Sequence, residues 1–343
     1  MGVKFNIKSF SWIFLTSVLS LLFLSLSTIL FWPQNNPHKI IKIKIESGTS
    51  LKGISELLFK EKIISNKTTF KWAVQILGKE KQLPTGTFRL INSNSNYSII
   101  NQFVNGSPQV VKVRILEGWN KHQLAEHLSK SMGFNIDKIK SLIDDKNYIS
   151  KQKIISNSLE GYLFPDTYFF FEGEKIESVL SQLVSQYKKF WTEKNIRRAK
   201  KIGLSEHDVT TLASIIEGEA IYDIERPKIS AVYHNRLNIN MKLQADPTIQ
   251  YIISDSPRRL LNKDLRIESP YNTYLHKGLP PGPINSPGKE SLRAALFPEV
   301  NDFIYFVATG DGYHTFSTNK HDHDKAKQKL QKLRRKIREK RKI

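Results

Sequence analysis

The sequence predicts an α+β protein that begins with a transmembrane helix. Three observations support this prediction: an uncharged N-terminal run, a strand–turn–helix pattern that occurs twice, and a C-terminal half in which amphipathic helices mix with short strand-like runs. The chain has 343 residues, which is long enough for more than one hydrophobic core.

The N-terminal run covers residues 10–32 and contains no charged residue. A helix of about 20 apolar residues crosses a bilayer, and Trp12 and Trp32 suit its two interfaces. A cleaved signal peptide is the alternative, with a small-residue site at residues 25–27, but the apolar run continues beyond that site. We therefore predict an uncleaved anchor between a short N-terminus, residues 1–9, and a linker, residues 33–39.

The repeated pattern gives two mixed regions after the linker. The first copy, residues 40–110, and the second, residues 111–200, each start with a strand-like run, a glycine-containing turn and a helix. Each copy also ends in a predicted strand with a glycine before an aromatic residue, at Gly86 in the first and in residues 161–164 in the second. The pattern therefore predicts an internal structural repeat.

A third region, residues 201–321, contains the most clearly signalled helix. One amphipathic helix over residues 178–199 leads into this region. The next helix is predicted to start with a Ser-x-x-acid capping box at residues 205–208. It carries two carboxylates, Glu217 and Glu219, in an otherwise apolar and small-residue run.

Either of these glutamates is a candidate for acid–base chemistry. The residues one turn away from Glu217 carry no charge, and a carboxyl in such a setting has a raised pKa, as a general acid requires. Helical periodicity places Glu219 more squarely on the apolar face, where Arg236 of the next helix is a candidate partner for a structural ion pair. The residues alone leave both assignments open.

Five motifs follow one another in a fixed order around the Ser-Ile-Ile-Glu-Gly-Glu run. They lie at residues 160–168, 243–248, 269–274, 278–288 and 305–316. Together they resemble the YceG-like family of membrane-anchored endolytic murein transglycosylases, over residues 41 to 321. The catalytic acid of that family is the first glutamate of the shared motif, and this position corresponds to Glu217.

The resemblance implies non-hydrolytic cleavage of the bond between N-acetylmuramic acid and N-acetylglucosamine in nascent peptidoglycan strands, which terminates strand elongation. Glu217 would protonate the glycosidic oxygen and then accept the proton of the muramic C6 hydroxyl, giving a 1,6-anhydro end. Such a lyase needs one carboxylate, whereas a hydrolytic muramidase would need a second, for which Asp246 is the candidate. A non-catalytic glycan-binding scaffold is a further alternative.

Sugar binding requires amides, hydroxyls and aromatic rings, and the motifs supply them. The predicted substrate-binding residues are Gln244, Asp246, Thr248, Tyr271, Asn272, Tyr274 and Ser286, with Asn285 and His314 also available. Structural roles remain open for them, since residues 246–248 can start a helix and the tyrosines can be core residues. No cofactor and no metal is expected, because two histidines near a chain end, at residues 321–324, make a weak site.

The remaining expectations concern partners and location. The formal net charge of +21 suits an anionic cell envelope or a nucleic acid, but no recognition motif accompanies the charge, so we expect no nucleic-acid partner. The resemblance implies a single-pass protein of the bacterial inner membrane with its catalytic body in the periplasm, and peptidoglycan strands and peptidoglycan synthases as partners. It also implies a LysM-like αβ subdomain at residues 40–110 and a mixed α/β catalytic domain at 201–321. A basic tail at 322–343 is predicted to be a solvated, frayed terminus, and a basic amphipathic helix at a membrane surface is the alternative.

Overall fold

The computed structural model describes residues 7–32, 40–83, 85–91, 95–106, 110–253 and 256–340. The chain divides into two compact units. The N-terminal unit comprises Met1–Val111 and Phe169–Glu174, and the C-terminal unit comprises Lys112–Tyr168 and Lys175–Ile343. The mixed α/β fold and the single N-terminal apolar helix predicted from the sequence are confirmed for the part of the chain that the structure describes.

The first helix, α1 (Ile7–Phe31), has the length and composition of a membrane span. Its most apolar window, Phe14–Phe31, has a mean hydropathy of 2.2, and the side chains of residues 14–26 are exposed. A helix of this length covers the roughly 30 Å of a bilayer's hydrocarbon core. Near its end, Ile29 accepts a hydrogen bond from Asn96 through its carbonyl oxygen, at 2.9 Å.

The rest of the N-terminal unit is a two-stranded antiparallel sheet covered by helices. Strands β1 (Ile40–Ile45) and β2 (Gly86–Ile91) pair in register, with Ile43 opposite Phe88. In β1, Ile43 and Ile45 are buried while Lys42 and Lys44 are exposed, as the alternating sequence pattern predicts. Between and after the strands lie the helices α2 (Leu51–Lys60), α3 (Lys67–Ile76) and α4 (Asn96–Asn105).

A second strand pair confirms the strand–helix part of the repeat but not its predicted end. Strand β3 (Val110–Arg114) pairs with β4 (Thr167–Phe171), after the intervening helices α5 (Lys121–Met132), α6 (Ile136–Ile143) and α7 (Lys146–Lys151). The strand predicted at residues 161–164 is wrong, because these residues form a turn. Gly161 adopts a φ of +83°, and an added Cβ there would lie 2.3 Å from Pro283.

Helix α10 (Glu206–Glu219) lies at the centre of the C-terminal unit. Every residue from Val209 to Ile216 is buried, which makes this helix part of the core on all sides. Its predicted capping box is confirmed, since Ser205 and Asp208 exchange hydrogen bonds at the first turn. The other elements are α8 (Ile176–Phe190), α9 (Glu193–Lys201), α11 (Arg226–Asn238), α12 (Asp246–Ile252), α13 (Lys289–Leu296), β5 (Tyr305–Ala308), β6 (His314–Ser317) and α14 (Lys320–Lys340).

Two predictions for helices in this unit need correction. The single helix predicted at residues 178–199 is two helices, α8 and α9, because Thr192 caps a new N-terminus. The basic tail is ordered as α14, and its apolar side packs on the β5–β6 hairpin: Leu330 is buried, and a Cβ added at Gly310 would lie 3.7 Å from it. Apolar contact with the hairpin therefore holds the first half of a helix that is otherwise strongly charged.

Candidate active site

Both candidate glutamates lie in the last turn of α10. The capping box fixes the start of this helix, and eight buried residues fix its rotation in the core. Glu217 and Glu219 are therefore carried by a rigid element, just before the C-cap residue Ala220. A rigid support of this kind is what a catalytic carboxylate requires for defined geometry.

Glu217 is held by two donors from outside its own helix. Its Oε1 accepts a hydrogen bond from Nη2 of Arg226 at 3.1 Å, and its Oε2 accepts one from the backbone N–H of Gly288 at 2.9 Å. The uncharged setting predicted for Glu217 is therefore wrong. The neighbours of Glu217 on α10 are indeed uncharged, but the guanidinium reaches it from the start of α11.

Arg226 is itself fixed by three groups. Besides Glu217, its Nε donates to Asp223 at 2.8 Å and its Nη1 donates to the Ser291 hydroxyl. Because the guanidinium is planar, three partners in its plane define its orientation. The Glu217 carboxylate thus rests against a cation that cannot easily rotate away.

Glu219 has the electrostatic environment that was predicted for Glu217. Burial, followed by the charge of Asp246, raises the pKa of Glu219 to about 7, and its Oε1 accepts a hydrogen bond from the Tyr233 hydroxyl at 2.9 Å. The predicted ion pair with Arg236 is replaced by a different arrangement: Arg236 donates to the carbonyl oxygens of Leu243 and Ile304. Glu219 is therefore not half of the predicted ion pair, and burial has the largest effect on its pKa.

A cavity of about 860 Å³ opens beside the two glutamates. The lining includes Glu219 and Asp246 and, at the start of α5, Asn120 and Gln123. Two glycines of the lining border Glu217: Gly218 follows it in sequence, and a Cβ added at Gly118 would lie 3.8 Å from Cγ of Glu217. Glu219 thus belongs to the lining, while Glu217 is almost fully buried next to two of its residues.

Four of the predicted sugar-binding residues lie at least partly exposed in the same unit. Asp246 is exposed in the cavity wall and accepts a hydrogen bond from the Tyr274 hydroxyl at 2.5 Å. Gln244 is exposed and adopts an unusual φ of 48°. Tyr271 is half-buried and packs against the ring of Tyr251, which also lines the cavity, at a centroid distance of 5.0 Å.

The other three predicted residues are buried and bind the protein itself. Thr248 donates to the carbonyl of Ala245 at 2.7 Å, and Asn272 donates to that of Ile267 at 2.8 Å. The backbone of Ser286 donates to the carbonyl of Trp119 at 2.8 Å. These contacts fix the loops around the cavity. His314, also a candidate, binds Glu225 through Nδ1 at 2.9 Å and is almost fully buried.

Sequence reasoning missed Arg226 and used Asn285 only as one candidate among many. Arg226 lies at the first position of α11, where the helix dipole disfavours a cation. This unfavourable position is the one feature of the sequence that could have indicated a role for Arg226 in the site. Asn285 lines the cavity and donates to the carbonyl of Ser214 at 2.9 Å. Its Oδ1 is buried without a hydrogen-bond partner among the described residues, which leaves an acceptor for a ligand.

The fold and the motifs place the chain in a known family. The model of the YceG-like family matches residues 43–329, so the chain belongs to this family, and the resemblance noted in the sequence is confirmed. A crystal structure of a YceG-like protein from Listeria monocytogenes superposes with a TM-score of 0.58 at 31% identity, covering 84% of this chain and 99% of that one.

Two curated relatives carry the same functional name. The chain is 32% identical over 312 residues to the endolytic murein transglycosylase of Bacillus subtilis, covering 86% of each chain. It is 26% identical over 326 residues to the endolytic murein transglycosylase of Streptococcus pneumoniae strain D39, covering 84% of this chain and 58% of that longer protein.

Proposed function

We propose that the protein is a membrane-anchored endolytic murein transglycosylase that uses Glu217 as its acid–base group. One observation carries this proposal: the glutamate at the motif position is fixed by Arg226 and Gly288 next to a cavity of about 860 Å³. This volume lies in the usual range of ligand sites, about 300–1,000 Å³. Family membership and the names of the relatives supply the reaction class.

The reaction balances without water. Protonated Glu217 gives its proton to the glycosidic oxygen, the bond from that oxygen to muramic C1 breaks, and the N-acetylglucosamine side leaves with a hydroxyl. The acetamido group of the muramic residue stabilises the positive centre. The C6 hydroxyl then attacks C1 and returns its proton to Glu217, closing a 1,6-anhydro ring. Between the two steps Glu217 is a carboxylate, which Arg226 and the Gly288 N–H stabilise.

The proposed sugar contacts are the accessible groups of the cavity and its surroundings. Asp246, Tyr274, Gln244 and Tyr271 supply a carboxylate, an amide and hydroxyls. Thr248, Asn272 and Ser286 act by holding the loops that present these groups. Substrate orientation then comes from a few polar groups on a rigid frame.

A hydrolytic muramidase is the second candidate, and a specific observation favours it. Glu219, with a pKa of about 7, lines the cavity together with exposed Asp246, so an acid and a carboxylate base both belong to the lining. Glycosidases usually act through such a pair of carboxyl groups. The two candidates differ in the acid, in the need for a second carboxylate and in the product.

The location and the accessory modules extend the proposal. The length and composition of α1 support a single-pass anchor in the cytoplasmic membrane, with the body in the periplasm. For residues 40–110, the β1–β2 sheet with its covering helices supports a LysM-like module with glycan affinity. Cleavage of strands near the membrane would terminate their elongation, and peptidoglycan synthases would be the partners.

The test is the product that the full-length protein in detergent releases from peptidoglycan in water labelled with ¹⁸O. Ends that are lighter by one water and free of label support the lyase, whereas labelled reducing ends support the muramidase. Glu217→Gln should lower turnover by about 10²- to 10⁴-fold, the usual scale for a general acid–base group. Glu219→Gln is the matched control, since it makes the same change two residues away. Loss of turnover in this variant alone would transfer the acid role to Glu219.

A further inference from the structure

A third carboxylate, Glu117, lies close to Glu217, across the backbone of Gly288. It lies in the turn after β3, and this turn is tied to the loop before α13 by two backbone hydrogen bonds. Gly118 donates to the carbonyl of Ser286 at 2.9 Å, and Ser286 donates to the carbonyl of Trp119 at 2.8 Å. The position of Glu117 relative to this loop is therefore set by the backbone.

Glu117 and Glu217 contact the same glycine. A Cβ added at Gly288 would lie 2.0 Å from Oε1 of Glu117, so the Glu117 carboxylate packs directly on the Gly288 backbone. The N–H of Gly288 in turn donates to Oε2 of Glu217 at 2.9 Å. With ordinary bond lengths, the two carboxylates are within about 8 Å of each other. This upper limit is short enough for the charge of one carboxylate to act on the other.

The charges around Glu117 are mostly negative. Glu217 faces it from α10, Asp223 and Arg226 from the turn before α11 and the start of that helix, and Glu290 from α13. Burial, followed by the charge of Glu217, raises the pKa of Glu117, and Arg226 opposes this shift. One guanidinium thus stands among several carboxylates, and interacting carboxylates of this kind hold a proton jointly.

We propose that Glu117 is a positioning residue of the active site, which acts through Glu217 by keeping one proton on the carboxylate pair beside Arg226. This inference rests on the proposed function, in which Glu217 must start protonated. Arg226 and the Gly288 N–H both bind the Glu217 carboxylate. The negative charge of Glu117, which packs on the same glycine, favours a proton shared by the two carboxylates.

The first test compares the pH–rate profiles of the wild type and Glu117→Gln in the full-length protein. In this variant the negative charge of Glu117 no longer favours a proton on Glu217. The alkaline limb of the pH–rate profile should therefore move to lower pH by about one unit. The rate near pH 7 should then fall by about tenfold and should approach the wild-type rate at low pH. A structural role would lower the rate by the same factor at every pH. Such a parallel profile, or an unchanged one, would overturn the proposal.

The second test does not require activity, so it separates failure of this inference from failure of the proposed function. A raised pKa means that the contribution of Glu117 to stability is present below its ordinary pKa and is lost as the pH rises. The melting temperature of Glu117→Gln relative to the wild type should therefore increase between pH 4 and pH 8. Glu193→Gln, at an exposed carboxylate paired with Arg197, controls for removal of one surface charge. A difference that is independent of pH, or equal in both variants, would contradict the proposal.

Discussion

Nη2 of Arg226 and Oε1 of Glu217 form a buried ion pair at 3.1 Å, with side-chain exposures of 6% and 7%. Two charges removed from water are costly unless their hydrogen bonds are complete, and here Asp223, Ser291 and Gly288 complete them. The pair holds the carboxylate in one place. In the proposed mechanism, this fixed position suits the step in which Glu217 acts as a base.

Arg226→Gln should destabilise the protein strongly. Removing one partner of a buried pair leaves the other charge uncompensated, at a cost of about 3–5 kcal/mol. The loss of unfolding free energy should be smaller at pH 5 than at pH 8, because a proton on the unpaired Glu217 removes its buried charge. Denaturant unfolding at the two pH values measures both effects. Arg197→Gln breaks an exposed pair with Glu193 and should cost at most about 1 kcal/mol. Equal losses in the two variants would mean that the buried pair does not stabilise the fold.

Glu219→Gln should change the pH dependence of stability rather than break an ion pair. The pKa of Glu219 is raised to about 7, so its contribution to stability is present below its ordinary pKa and is lost as the pH rises through 7. A glutamine can still accept the hydrogen bond from Tyr233 but does not ionise. Relative to the wild type, the variant should therefore gain stability between pH 4 and pH 8, on the order of 2–3 kcal/mol. Thermal melts across this range measure the gain. A uniform loss at all pH values would indicate a broken ion pair instead.

The elements that sequence reasoning predicted correctly are those with local causes. The capping box at Ser205 and Asp208 involves residues three apart, and the apolar pattern of α1 is a property of consecutive residues. The alternation of buried and exposed residues in β1 is likewise local. The motifs in order then led to the family, although single spacings would not have done so.

The charges of the site could not be predicted in the same way, because they come from other parts of the chain. Periodicity describes the neighbours of Glu217 on α10, but Arg226 and Gly288 approach it from elsewhere in the fold. Asn272 was predicted to face the sugar, yet it is buried, and its amide is used by the Ile267 carbonyl. An amide in a loop suits either role equally, and only the fold decides between them.

Helix α1 gives a prediction about the mature protein. If it is an uncleaved anchor, the full-length protein should sediment with membranes and resist extraction by high salt or alkaline carbonate. Its N-terminal sequence should begin at or next to Met1. A chain without residues 1–26, which leaves the contacts of Ile29 in place, should lose sedimentation and keep its thermal transition, which serves as the control. A mature N-terminus after about Ser27 would instead identify a signal peptide.

Gly288→Ala offers the sharpest test of the two carboxylates. Gly288 has an ordinary φ of −73°, so alanine adds no backbone strain, and the three atoms nearest to the added Cβ all belong to Glu117. Glu117 is exposed overall although its carboxyl packs on Gly288, so its side chain should move away from the added Cβ at a stability cost below about 1 kcal/mol. The hydrogen bond from Gly288 to Glu217 should remain. The alkaline limb of the pH–rate profile should move to lower pH, as in Glu117→Gln. The double variant should behave like either single variant, because the same interaction is removed only once. Additive losses of rate would mean that alanine at position 288 disturbs the site by another route, and the link between Glu117 and Glu217 would then lose its support.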